Sequence, residues 1–353
     1  MNTAGDFTSS DCPGSRTEQE NRIKAALIFS KSVMLIKAKD KVAITCDEFS
    51  DDSVANALMM ALEKLGAEPT VVRYRSESFK DGKLPDSVSE FIYSSDVWLE
   101  LSQKYALYSE TRFNSSKLGV RYSCLTGMDS DLLIRAFYNV DYDELLRFGD
   151  ALDSAIRTSE ELEVSSGSGT YLRAQGKAEF SAVAGKPNGS KGSTTMFAGT
   201  VNWISPENEI SGEIVVDGSI WPPIGILKEP VKFKVEEGII KEISGGAESL
   251  ILNRWMQDLQ DENMYRVAHL TIGFHPHVKK LRGKILEDER LFGSFQIGFG
   301  TQGPAFGKKW VAKAHSDAVI IRPTVKLDGR PILQNGNFVL GNFSESSFAF
   351  LGE

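Results

Sequence analysis

The chain has 353 residues, 41% hydrophobic and 25% charged, with a formal net charge of -8. This is the composition of ordinary globular domains, with length enough for two cores. The acidity and the lack of basic runs interleaved with aromatics argue against nucleic acid as a partner, and no stretch reaches the roughly 20 apolar residues that a membrane span needs.

Residues 1–20 are polar and read as a flexible leader without the basic and apolar regions of a signal peptide. A helix is expected over 18–33. An alternation follows: strand 41–46, helix 52–65 closed by Gly66, strand 69–74, helix 85–94, strand 96–101, helix 109–117, strand 119–124, helix 129–137. In helix 52–65, Ala55, Leu58, Met59 and Leu62 form one apolar stripe, and Asp52 or Ser53 is placed to cap it. Strand and helix in alternation with short links predict a parallel sheet covered by helices. No GxGxxG follows any of these strands, so residues 21–160 read as a Rossmann-like α/β domain without the dinucleotide fingerprint, ending in a helix over 141–158.

After Glu163 the texture changes to short apolar runs between Gly- and Ser-rich turns. Strands are expected at 170–174, 200–203, 212–217, 231–235 and 239–243, with Glu236, Glu237 and Gly238 as a hairpin turn and a helix over 248–260. Residues 161–353 therefore read as a second, mostly antiparallel β domain. The fold class is α/β with this α+β C-terminal part. The three cysteines, Cys12, Cys46 and Cys124, form no CxxC pair, which suits a reducing cytoplasm.

All four histidines lie between His269 and His315. The stretch 314–321, AHSDAVII, reads as a strand, and side chains two apart in a strand share a face. His315 and Asp317 are thus two ready metal ligands. His269, inside the apolar run VAHLTIGF, is the expected third. His275 and His277 flank Pro276 and belong on a loop; His275 is the substitute ligand and is otherwise assigned to substrate binding. Two imidazoles and one carboxylate without thiolate suit iron(II), manganese or zinc, and leave coordination positions open. The plain structural alternative is a hydrogen-bonded histidine in a strand.

These segments, with SPENE at 205–209 leading into GEIVVDGS and with the α/β first domain, resemble the aminopeptidase T-like metallopeptidase superfamily, and within it the 2,5-dihydroxypyridine 5,6-dioxygenases. The resemblance implies a mononuclear non-heme iron(II) enzyme that cleaves the ring of a small hydroxylated aromatic with O2, as a homo-oligomer. Its metal ligands are then His269, His315 and Asp317. The peptidase branch has a glutamate where this chain has His269 and a further histidine ligand in the stretch matching GSFQIG at 293–298. A two-metal clamp loses ligands under those changes, whereas a single triad survives. Tyr108 stands where the dioxygenases carry a histidine, and Thr301 resembles their substrate-contacting hydroxyl. Glu207, Glu209 and Tyr108 are the expected proton-transfer groups. The competing readings are a metal-dependent hydrolase, aminopeptidase or amidase, and a binding protein with a degenerate metal site.

Overall fold

The computed structural model describes residues 16–80, 82–206, 209–302 and 310–339. Most of the leader expected over 1–20 lies outside these; the first helix runs Arg16–Ile28 and continues as a π turn, Phe29–Val33.

The alternation folds as the pattern predicts, into a four-stranded parallel sheet. Strand Lys41–Cys46 lies between Glu68–Arg73 and Val97–Glu100, with Arg121–Cys124 at the far edge. Successive residues feed two cores: Val42, Ile44, Val97 and Leu99 join one apolar cluster, and Ala43, Trp98, Tyr122 and Cys124 the other. A parallel sheet covered on both faces needs this unbroken apolar run rather than alternation with polar residues. One expectation shifts. Helix Asp52–Lys64 is capped by Asp51, whose carboxylate accepts from the Ser53 N–H at 2.8 Å; Asp52 and Ser53 are already in the first turn.

The C-terminal part is antiparallel. Its strands form a seven-stranded and an eight-stranded sheet, and the hairpin at Glu237 and Gly238 takes positive φ at both residues, 51° and 71°, the twist that a two-residue turn requires. In strand Ser294–Gly300, Phe295, Ile297 and Phe299 enter the main core, where Phe299 meets Phe233 of the other sheet edge-on at 5.7 Å. Its other residues, Ser294, Gln296, Gly298 and Gly300, face the opposite way.

The two parts are joined by polar contacts. Arg135 reaches buried Glu287 at 2.8 Å, Lys284 pairs with Asp129, and the Tyr142 hydroxyl accepts from the Ala198 N–H at 2.7 Å. Among the described residues no helix is long and apolar enough to cross a membrane.

Candidate metal centre

Strand Val267–Gly273 carries His269, strand His315–Ile320 carries His315 and Asp317, and Ser294–Gly300 runs between them. The register puts His269, Gly298 and Asp317 in one cross-strand row, with His315 opposite Gly300. The middle strand therefore has no side chain where the three groups must meet. That gap is required, because a Cβ on Gly298 would lie 2.3 Å from His269 Nε2.

The ligand atoms converge. His269 Nε2 and His315 Nε2 are 3.2 Å apart, and the Asp317 carboxylate lies 3.4 Å from the first and 3.2 Å from the second. One donor atom from each residue falls within 4.8 Å of the others, the only such group of three or more among the described residues. The tautomers follow from the outer nitrogens. His315 Nδ1 is 2.8 Å from the Thr301 carbonyl, which only accepts, so Nδ1 carries the hydrogen. His269 Nδ1 is 3.0 Å from Thr271 Oγ1, whose own hydrogen goes to Asn202 Oδ1 at 2.7 Å, so this Nδ1 donates as well. Both Nε2 lone pairs then point at one spot beside a carboxylate whose Oδ1 is buried without a hydrogen bond. Such a set fits a divalent cation, and a histidine whose second nitrogen donates to a fixed acceptor is how metal sites hold their imidazoles.

The electrostatics agree. Burial pushes the His269 pKa down to about 4, against the pull of Asp317. Burial also works against a charged His315, but the Asp317 charge and hydrogen bond outweigh it and the net direction is upward. Asp317 moves down, since its histidine neighbours outweigh its own burial. The field that holds a positive charge at this spot is the field that a metal ion meets.

The other expected residues divide. Tyr108 comes to the centre from the loop after strand Val97–Glu100, its ring centroid 5.9 Å from that of His315 and 5.7 Å from that of Tyr105. Thr301 serves His315 through its carbonyl; its hydroxyl is closed on Ala312, accepting from the N–H at 2.8 Å and donating to the carbonyl at 2.6 Å. His275 is fully buried, with Nε2 on the Ala136 carbonyl and Nδ1 accepting from the His277 N–H, both at 3.3 Å. Neither of its nitrogens is offered to a ligand. Glu209 is exposed before strand Ile210–Val216, its carbonyl accepting from Gln175, and is not among the converging groups. Glu207 lies outside the described residues. Sequence reasoning passed over Thr271 and Gly298. Thr271 had a signal: it stands two residues from His269, as Asp317 does from His315.

A sequence profile of the NicX family, 2,5-dihydroxypyridine 5,6-dioxygenase, matches residues 28–340. The chain belongs to that family. Within it, the curated 2,5-dihydroxypyridine 5,6-dioxygenase of Pseudomonas putida KT2440 is 24% identical over 143 residues, 38% of this chain and 41% of that enzyme. The matched stretch thus spans less than half the length of that relative. The solved structure of 2,5-dihydroxypyridine dioxygenase from the same organism is 18% identical and aligns over 93% of this chain and 99% of its own, with a TM-score of 0.74. Wild-type AmpT from Thermus thermophilus follows at 0.68 and 14% identity, over 91% of this chain and 100% of its own. At these identities the likeness is one of fold, and it covers both parts of the chain.

Proposed function

We propose that this family member is a mononuclear iron(II) dioxygenase that opens the ring of a small hydroxylated pyridine or related aromatic, with His269, His315 and Asp317 holding the metal. The observation that carries the reading is the convergence of two imidazole lone pairs and a buried carboxylate oxygen on one spot, each imidazole committed at its outer nitrogen. Membership in a family named for 2,5-dihydroxypyridine 5,6-dioxygenase supports the substrate class and the use of O2.

Bound there, iron(II) supplies a Lewis acid for a ring hydroxyl and a path for electrons between the ring and dioxygen. The protein's own part is positioning. Thr271 with Asn202, and the Thr301 carbonyl, fix which nitrogen of each histidine faces the centre. Tyr108 gives a flat wall against His315 and a hydroxyl. Desolvation, and then the Asp317 charge, push that phenol above its ordinary pKa, so at neutral pH it stays protonated, a donor rather than a base. Glutamine at 296 and glycine at 298 leave a single three-ligand group among the described residues, which favours one metal over the paired clamp of a hydrolase.

The test is metal analysis of protein purified without oxygen, followed by oxygen uptake with hydroxylated pyridines and aminophenols. The reading expects about one iron per chain and uptake with at least one ring. Zinc or manganese with no uptake moves the chain to the hydrolases. His315→Ala is expected to abolish both bound iron and turnover, and a variant that keeps both removes this centre from consideration.

A further inference from the structure

The segment after the short helix Ile285–Asp288 crosses the same face of the seven-stranded sheet that carries the three ligands. Gln296 projects from that face, two residues from Gly298, and its Nε2 donates to the Glu289 carbonyl. Gly273, at the end of the His269 strand, lets the segment lie close: a Cβ there would be 2.7 Å from the Glu289 carbonyl oxygen and 2.4 Å from that of Leu291. Gln296, about 7 Å along the strand from Gly298, therefore anchors the Glu289 backbone on this face.

Its carboxyl is 17% exposed, and Oε2 accepts from Arg290 Nη1 at 3.3 Å. Arg290 is otherwise occupied, giving hydrogen bonds to the carbonyls of Phe197 at 3.0 and 3.2 Å and Leu286 at 2.7 Å, and stacking on the Phe197 ring. Among the described residues Oε1 of Glu289 has no hydrogen-bond partner. The carboxyl is close enough to feel the charges of Asp317 and His315, and both Tyr105 and Tyr108 feel its own. Burial, then the Asp317 charge, push its pKa up to about 7, the mark of a carboxyl short of donors. The three proposed ligands, the two tyrosines and the Glu289 carboxyl thus lie near enough to share one electrostatic environment.

We propose that Glu289 selects the substrate ring, its Oε1 accepting the ring N–H of a hydroxypyridine in the lactam form while a ring hydroxyl goes to the metal centre. This rests on the dioxygenase reading above and names the feature by which the same site chooses a nitrogen heterocycle. A benzene ring of the same shape brings no N–H, so its entry leaves a desolvated carboxyl oxygen unpaired. A site built around a hydrogen bond rejects the analogue that lacks the donor.

The experiment is anaerobic calorimetric titration of the iron-loaded protein with 2,5-dihydroxypyridine and with hydroquinone, two rings with the same para hydroxyls that differ in the ring nitrogen. The native protein is expected to prefer the pyridine by at least about tenfold. Glu289→Gln keeps the shape but loses the charge, and is expected to cut that preference about fivefold. Glu289→Ala removes the preference, and both variants keep the iron content of the native protein. An unchanged preference in the two variants overturns the assignment of Glu289. A native protein that binds neither ring overturns the dioxygenase reading instead, so the two failures are told apart.

Discussion

The centre depends on a residue with no side chain. Gly298 lies between His269 and Asp317 in the row, and even one methyl group there would overlap the His269 ring at 2.3 Å. The ring has no easy retreat, because its Nδ1 is tied to Thr271 and through it to Asn202. Gly298→Ala is therefore expected to turn His269 away from the other two ligands. The strand itself tolerates the change, as the neighbouring Phe295, Ile297 and Phe299 still fill the core from the other face. The expected outcome is a folded protein with metal affinity reduced by about a hundredfold or more, the upper end of what disturbing a ligand's support costs. Metal titration alongside a thermal melt checks it. Normal metal binding would mean that the row has more room than the backbone allows.

At the scale of elements, the parallel sheet holds a second buried carboxyl, well away from the metal ligands in sequence. Glu100, at the end of strand Val97–Glu100, is fully buried; it accepts hydrogen bonds from Tyr122, from the Ala106 N–H at 2.8 Å and from Ser102 at 3.2 Å. Burial outweighs those bonds and lifts its pKa to about 7 from the ordinary 4.5. The folded state thus binds this proton more tightly than the unfolded chain. Its contribution to stability is complete below the ordinary carboxyl value and is lost as pH rises through about 7, a swing of order 3 kcal/mol. Melts between pH 5 and 8 are expected to show stability declining over that window in the native protein and a shallower decline in Glu100→Gln; parallel curves would contradict the assignment. These elements were legible in the sequence because an amphipathic stripe ended by glycine, as in 52–65, has few other ways to bury itself. Strand Ser294–Gly300 was not, since glycine is depleted in strands and the need for Gly298 shows only once its neighbours are in place. The triad was legible for a related reason: one-in-two spacing in an apolar strand fixes a shared face, and His315 with Asp317 has it. Glu289 was hidden in a charged run, 287–290, that looks like solvated surface; only the fold turns Glu287, Asp288 and Arg290 inward.

At the scale of the molecule, the centre is assembled from both parts of the chain. The antiparallel sheet supplies the proposed ligands, and the parallel layer supplies Tyr105 and Tyr108 from a loop at the carboxyl end of a strand, where open α/β sheets place their binding groups. What holds the layers in register is then a functional matter. Arg135 on helix Ser130–Phe137 reaches Glu287 beneath the segment that carries Glu289, and the Glu287 side chain is only 2% exposed. Its second oxygen, Oε2, is buried without a partner, so Arg135 is its main compensation. Removing one member of a buried pair strands the other, at a cost of about 3 kcal/mol. Arg135→Ala is therefore expected to lower the melting temperature, and less so at acid pH, because burial already pushes Glu287 toward its protonated form and protonation relieves the stranded charge. The three proposed ligands all lie in one sheet and need nothing from Arg135, so metal content should stay native while affinity for ring ligands falls as the tyrosine wall loses its register. Loss of metal together with ring affinity would show that the antiparallel sheet alone does not hold the three ligands in place, and that their geometry is set across both layers.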